Sequence, residues 1–214
     1  SQPLSVPIIV VGNISVGGNG KTPMVIFLAK QLLKMDYRPG IISRGYGTRS
    51  RQTRRVTTSD TDAFGDEAVL ISQETNCPVA IGSNRYESAQ LLINRANCNI
   101  IISDDGVQHY RLSRDVEIIL VDGMRKFGNG FCLPSGPLRE KPKRLNDADF
   151  ILAMGKTIAQ AQYVFFINPV RFINMRSGET VPVNYFSGQH VHAVAGIADP
   201  NRFFVLLEQL GMSL

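Results

Sequence analysis

Residues 10–23, VVGNISVGGNGKTP, restrict what this chain can fold into more than any other stretch. An apolar strand over 7–11 runs into a loop with glycine at 12, 17, 18 and 20. Lys21 and Thr22 follow, and a helical pattern opens at Pro23. Strand, glycine-rich loop and helix start form the layout of a cradle for nucleotide phosphates. Glycines let backbone N–H groups turn inward around phosphate oxygens, and the helix N-terminus adds partial positive charge. The stretch Ser15, Val16, Gly17, Gly18, Asn19, Gly20, Lys21 and Thr22 forms the loop and helix start of this layout. Lys21 reaches the β- and γ-phosphates, and the Thr22 hydroxyl ligates Mg²⁺. The pattern G-x-x-x-x-G-K-[ST] asks for glycine at position 15, where this chain has Ser15. The extra Gly17 supplies flexibility instead. An ordinary glycine-rich βα turn is the bland alternative. Gly-Lys-Thr between a strand and a helix is the context that favours the phosphate cradle.

The remaining pattern is that of an α/β protein. Residues 23–35 carry apolar side chains at helical spacing, including Val25, Ile26, Leu28, Ala29, Leu32 and Leu33. Pro23 suits a first helical turn, which needs no N–H there. A short strand over 40–43 ends in Arg44-Gly45-Tyr46-Gly47, at the strand end where open α/β sheets place ligands. Residues 48–62 are polar and basic, with Arg49, Arg51, Arg54 and Arg55, and read as a solvated loop, a surface hairpin or an anion-binding patch. Gly65-Asp66-Glu67 opens a helix over 67–75, where the two carboxylates either complement the helix dipole or face a metal or hydroxyl. A strand over 78–82 and a helix over 84–96 follow. The apolar strand over 99–103 ends in Asp104-Asp105-Gly106-Val107-Gln108-His109. A carboxylate at such a tip holds Mg²⁺ or its water shell in phosphoryl-transfer sites, although aspartate is also a common turn residue.

Further strands are expected over 116–121 and 150–153. Between them lies a long glycine- and proline-rich stretch that ends in Arg139-Glu140. This gives a P-loop NTPase-like parallel sheet flanked by helices, spanning residues 1–155. Residues 156–188, with strands over 163–168, 172–176 and 181–186, read as a β linker. A strand over 191–195 and a helix over 201–210 then begin a second α/β domain, 189–214, incomplete within these residues. His190 and His192 read as structural or exposed.

Bulk properties narrow the partners. A net charge of +5 over 214 residues suits an anion, whether nucleotide, phosphorylated substrate, nucleic acid or acidic membrane. Three cysteines without metal-ligand spacing, with three histidines, argue against zinc and for a reducing setting. No apolar run has the length of a membrane-spanning helix. Three P-loop classes compete: a small-molecule or lipid kinase, a switch or hydrolase, and a partition-type ATPase that dimerises on a partner. The partition class places lysine directly before its paired glycines, where this chain has Val16; a guanine switch would carry Asn-Lys-x-Asp, which is absent.

Read together, GNISVGGNGKTP, SRGYG, GDEA, NRYESA, DDGVQHYRLSRDVEIILVD and LPSGPLRE occur in this order. The set resembles the tetraacyldisaccharide 4′-kinase family, the lipid A 4′-kinases of Gram-negative bacteria, and the resemblance runs from the first strand to GIADPNRFF. The DDGVQH run is its most specific part, and Ser15 fits the family's relaxed loop. The resemblance implies transfer of the γ-phosphate of Mg²⁺-ATP to the 4′-hydroxyl of a tetraacyldisaccharide 1-phosphate. It places the enzyme at the cytoplasmic face of the inner membrane, with no nucleic acid and no obligate protein partner. Asp66 is implied as the proton acceptor, with Asp104 and Asp105 also catalytic. Thr22, Glu67, Asp104, Asp105 and Glu140 are implied as metal ligands or orienting groups. Arg44, Tyr46, Arg85, Gln108, His109 and Arg139 are implied as phosphate or substrate contacts. It further implies an N-terminal membrane-contacting helix and a later Asp-His motif, neither of which lies within these residues.

Overall fold

Alternation along the strands splits the apolar residues into two sets, one for each face of a central sheet. In the computed structural model, which describes residues 3–45, 52–57, 59–197 and 199–214, the chain divides into two compact units, Ser1–Phe165 and Phe166–Leu214. The first contains β1 (Ile8–Gly12), α1 (Lys21–Lys34), β2 (Pro39–Ser43), β3 (Arg54–Arg55), α2 (Thr61–Phe64), α3 (Asp66–Thr75), β4 (Val79–Ile81) and α4 (Arg85–Ala96). It continues through β5 (Ile100–Asp104), β6 (Val116–Asp122), a 3-10 helix (Pro142–Asp147), β7 (Phe150–Met154) and β8 (Tyr163–Phe165).

Among the described residues these strands form an eight-stranded sheet in the order β3-β4-β2-β5-β1-β6-β7-β8. All neighbours pair in parallel except β3, which runs antiparallel to β4 at one edge. On one face Ile8, Val10, Ile42, Ile101, Ile119 and Val121 pack with Ala89 and Leu92 of α4. On the other, Val11, Ile41, Ile102, Ile118 and Leu120 pack with Val25 and Ala29 of α1 and Ala68, Val69 and Ile71 of α3. Helices thus cover both faces, and the central strands read as nearly continuous apolar runs because water reaches neither side.

Two expectations change. The strand at 163–165 pairs with β7, Leu152 beside Tyr163 and Met154 beside Phe165, so it extends the main sheet and does not begin a linker. Arg54, weighed as part of an anion-binding patch, instead serves the fold. Its Nη2 donates to the Ala63 carbonyl at 2.8 Å, and its guanidinium lies 5.3 Å from the centre of the Phe64 ring. Arg49 and Arg51 fall outside the described residues.

The second unit, taken by itself, has a hairpin of β9 (Arg171–Ile173) and β10 (Thr180–Pro182) and a helix, α5 (Pro200–Gln209). Phe186 meets Phe172 and Tyr185 edge-on, with ring centres 5.2 and 4.9 Å apart. Residues 191–195, expected as a strand, form none among the described residues; His190 bridges to Ser213, and the Val191 N–H donates to the Ser213 carbonyl at 2.9 Å. Val194 is 93% exposed, so this apolar run has no sheet neighbour to bury it.

The core in β5 sets the first unit's stability. Ile102→Ala should cost about 2–5 kcal/mol, whereas Leu70→Ala, at a half-exposed position, should cost less than about 1 kcal/mol. Urea denaturation of the two variants checks the difference.

Candidate active site

Three strand ends meet at the carboxyl edge of the sheet. Val11 of β1 lies beside Asp104 of β5, and Ile42 of β2 lies beside Ser103 on the other side. The loops leaving β1, β2 and β5 therefore converge, which is where open α/β sheets bind ligands.

The loop after β1 is held from both sides. Asn19 Nδ2 donates to Ser15 Oγ at 2.8 Å, and both side chains are buried. Ser15 thus ties the loop together across four residues, a task glycine could not perform. The Val16 N–H donates to the Pro137 carbonyl at 2.8 Å, and the Arg139 N–H to the Ile14 carbonyl at 2.7 Å. Gly20, at φ 76° and ψ 22°, caps α1 in the left-handed region that favours glycine. No side chain caps this helix and its first turn has no acidic residue, so its N–H groups are left for an anion.

Asp104, the last residue of β5, is 1% exposed. Its Oδ2 accepts a long hydrogen bond from Ser43 Oγ at 3.4 Å, while Oδ1 has no hydrogen-bond partner among the described residues. Burial pushes the carboxyl up to about 7; the nearby Glu67 charge adds to this, and Arg85 opposes it. The next carboxylate behaves oppositely. Burial would raise Asp105, but the Lys21 charge and the hydrogen bond from Arg139 outweigh it and hold it below the usual range. Lys21 Nζ lies 3.6 Å from Asp105 Oδ1, and Arg139 Nη1 donates to Oδ2 at 2.9 Å. Gln108 Nε2 donates to the Asn13 carbonyl at 3.0 Å and to Glu140 Oε1 at 2.8 Å.

Gly65, at φ 84° and ψ 142°, ends α2 and starts α3. That conformation belongs essentially to glycine. It puts Asp66 and Glu67 in the first turn of α3, where the Glu67 N–H donates to Asp66 Oδ1 at 2.9 Å. The Thr22 hydroxyl donates to Glu67 Oε1, joining the start of α1 to the start of α3. Thr22, Pro23, Ile26, Asp66, Glu67 and Leu70 line a cavity of about 480 Å³.

On the β2 side a second cavity, about 630 Å³, is lined by Arg85, Tyr86, His109, Arg111 and Leu112, with Ser83 and Asn84. Arg85 is 3% exposed; its Nη2 donates to the Asp104 carbonyl at 2.8 Å, and Nε and Nη1 have no hydrogen-bond partner among the described residues. Burial brings the guanidinium down to about 10, against the pull of Asp104 and Asp105. Burial, then Arg85 and Arg44, lower His109 below the ordinary imidazole value. The Arg44 charge thus acts on both groups. Tyr46 lies outside the described residues.

The structure thus brings Lys21, Asp105, Arg139, Gln108 and Glu140 into one chain of contacts. Thr22, Asp66 and Glu67 form a second group, and Arg85, His109 and Arg44 a third, with Asp104 between them. Sequence reading missed Ser43, Pro137 and Asn13. The Asn13 side-chain amide is fully buried at the root of the loop, with neither polar atom bonded among the described residues. A serine ending an apolar strand and a proline before the Leu-Arg-Glu run were the only signals for the first two.

A model of the tetraacyldisaccharide-1-P 4′-kinase family matches residues 1–214. The chain belongs to this family. It is 48% identical over 211 residues to the tetraacyldisaccharide 4′-kinase of Actinobacillus pleuropneumoniae serotype 7, covering 98% of this chain and 65% of that protein. It is 50% identical over 215 residues to that of Methylobacillus flagellatus, covering 99% and 64%. The chain therefore spans just under two thirds of these family members. A crystal structure of LpxK from Aquifex aeolicus in complex with ATP superposes with a TM-score of 0.81 at 31% identity, covering 100% of this chain and 70% of that one. The P-loop NTPase-like fold is thus the fold of the family.

The family site carries a pH signature in its ligand-free state. The folded carboxyl of Asp104 titrates near 7, above its ordinary 3.8, so folding favours its protonated form. Its contribution to stability is full below about pH 4 and is lost as pH rises through about 7. Asp104→Asn should therefore be more stable than the unsubstituted chain at pH 8, and the advantage should shrink at pH 5. Denaturant melts at the two pH values measure this; an advantage that does not change with pH would contradict it.

Proposed function

We propose that the chain is the nucleotide-binding and phosphoryl-transfer part of a tetraacyldisaccharide 4′-kinase, which moves the γ-phosphate of ATP to the 4′-hydroxyl of a tetraacyldisaccharide 1-phosphate in lipid A biosynthesis. One observation carries the reading. An uncapped helix start with Lys21 and Thr22 lies beside the neighbouring strand's end, where Lys21 pairs with Asp105, the residue next to the buried Asp104, in a chain of this family. Residues 15–22 hold the phosphates of ATP by backbone N–H groups and the Lys21 charge.

Mg²⁺ fits the donors present. Asp104 offers a buried oxygen with no partner, its charge repels that of Glu67, and Thr22 adds a hydroxyl. A divalent cation there needs only one or two carboxylates, with water and phosphate completing the shell. Thr22, Glu67 and Asp104 would hold the ion, which supplies neutralisation of phosphate charge. Asp105 and Glu140 already face Lys21, Arg139 and Gln108, and they orient those groups.

Asp66, at the open start of α3, takes the proton of the acceptor hydroxyl. The hydroxyl oxygen forms the new bond to the γ-phosphorus as the bond from phosphorus to the bridging oxygen breaks, and ADP leaves. Arg85 and Arg111 present positive charge and His109 an imidazole in the larger cavity, with the Arg44 charge acting on His109, which suits an acceptor that already carries a phosphate. The enzyme works at the cytoplasmic face of the inner membrane on a lipid substrate, without nucleic acid or an obligate protein partner. No helix among the described residues is long and apolar enough to cross a membrane.

The test uses the full-length protein, labelled ATP and a tetraacyldisaccharide 1-phosphate. Labelled lipid should form. Lys21→Ala should abolish ATP binding and turnover. Asp66→Ala should lower transfer by about 10²–10⁴-fold while ATP affinity is kept. Equal losses of ATP affinity in both variants would remove Asp66 from the proton-acceptor role. Vigorous ATP hydrolysis with no labelled lipid would overturn the kinase reading.

A further inference from the structure

Resting on the kinase reading above, we infer that Tyr110 and Arg144, anchored on the buried Glu117, are positioning residues for phosphoryl transfer. They clamp Glu140 and, through it, fix Gln108 and Arg139 against Asp105.

The contacts run without a break from the core to the phosphate loop. Glu117, near the start of β6, is 3% exposed. It accepts from Arg114 Nη1 at 2.5 Å and from Arg144 Nη2 at 2.5 and 2.8 Å. Each arginine then acts outward. Arg114 donates to the carbonyls of Val107 and His109 at 3.1 and 2.9 Å, pinning the backbone on both sides of Gln108. Arg144 Nε lies 3.5 Å from Glu140 Oε2, and the Tyr110 hydroxyl donates to that same oxygen. Both guanidinium groups also lie over the Tyr110 ring, at 5.6 and 5.8 Å.

With Oε2 of Glu140 taken, Oε1 is left to accept from Gln108 Nε2 at 2.8 Å. The same nitrogen donates to the Asn13 carbonyl, so the amide cannot flip without losing both bonds. Gln108 Oε1 is thereby turned toward Arg139 Nη1, at 3.4 Å, and that nitrogen donates to Asp105 Oδ2. Asp105 meets Lys21 through its other oxygen. A fold-stabilising network would not need the exposed Tyr110 hydroxyl. That hydroxyl bears on the two groups of the clamp, Glu140 and Arg144.

The test compares Tyr110→Phe, Glu140→Ala and the double variant in the full-length protein. The readouts are kcat and KM for ATP with the lipid acceptor, and the melting temperature. Tyr110→Phe should lower kcat about tenfold, with KM for ATP and melting temperature unchanged. Adding it to Glu140→Ala should cost nothing more, because its route is already cut. Multiplying losses in the double variant, an unchanged kcat, or a change in melting temperature alone would each overturn the inference while wild-type transfer stands. No transfer by the wild type would overturn the kinase reading, and the inference with it.

Discussion

Parallel pairing of β5 with β1 on one side and β2 on the other confines the Asp104 carboxylate at the meeting point of three loops. The rest of the site depends on that confinement. Val11 and Ser103 set its depth, Ser43 offers one weak donor, and one oxygen has none. A buried carboxylate so poorly bonded is costly when charged. The strand register itself therefore sets this carboxylate apart from the others at the sheet's carboxyl edge.

Around that point the charges are sorted by distance and by partner. Asp105, one residue on, is turned by a φ of 49° toward Lys21 and Arg139, and its charge is spent on holding them. Asp104 instead stays buried beside Ser43. Two adjacent aspartates thus have different surroundings, with the left-handed backbone of Asp105 between them. The phosphate loop is fixed with similar economy: Ser15 ties it internally, and the Pro137 and Ile14 carbonyls tie it to the segment that delivers Arg139 and Glu140.

Much of this was legible in the sequence. Apolar runs interrupted by glycine, aspartate and helical spacing gave the sheet and its helices, because strands buried on both faces must be apolar throughout. Gly20-Lys21-Thr22 and Asp104-Asp105 could be placed at strand ends from their neighbours alone. The ordered set of motifs selected a kinase from among three P-loop classes, and the family match agrees with that choice. Ser15 looked like a defect in a glycine pattern; only its bond to Asn19 gives it a task. Residues 191–195 had the composition of a buried strand, yet a strand needs a neighbour, and composition does not supply one. The Glu117 network was hidden for a related reason: its members lie between 107 and 144 and meet only once β6 and the 3-10 helix have packed.

Amide hydrogen exchange of the chain with and without ATP and Mg²⁺ tests the central claim most directly, since it reports where the nucleotide acts on the backbone. The account predicts slowed exchange over 15–22 and over 104–106, and no change over the hairpin at 171–182. Slowed exchange over 171–182, with none at the phosphate loop or the tip of β5, would contradict it.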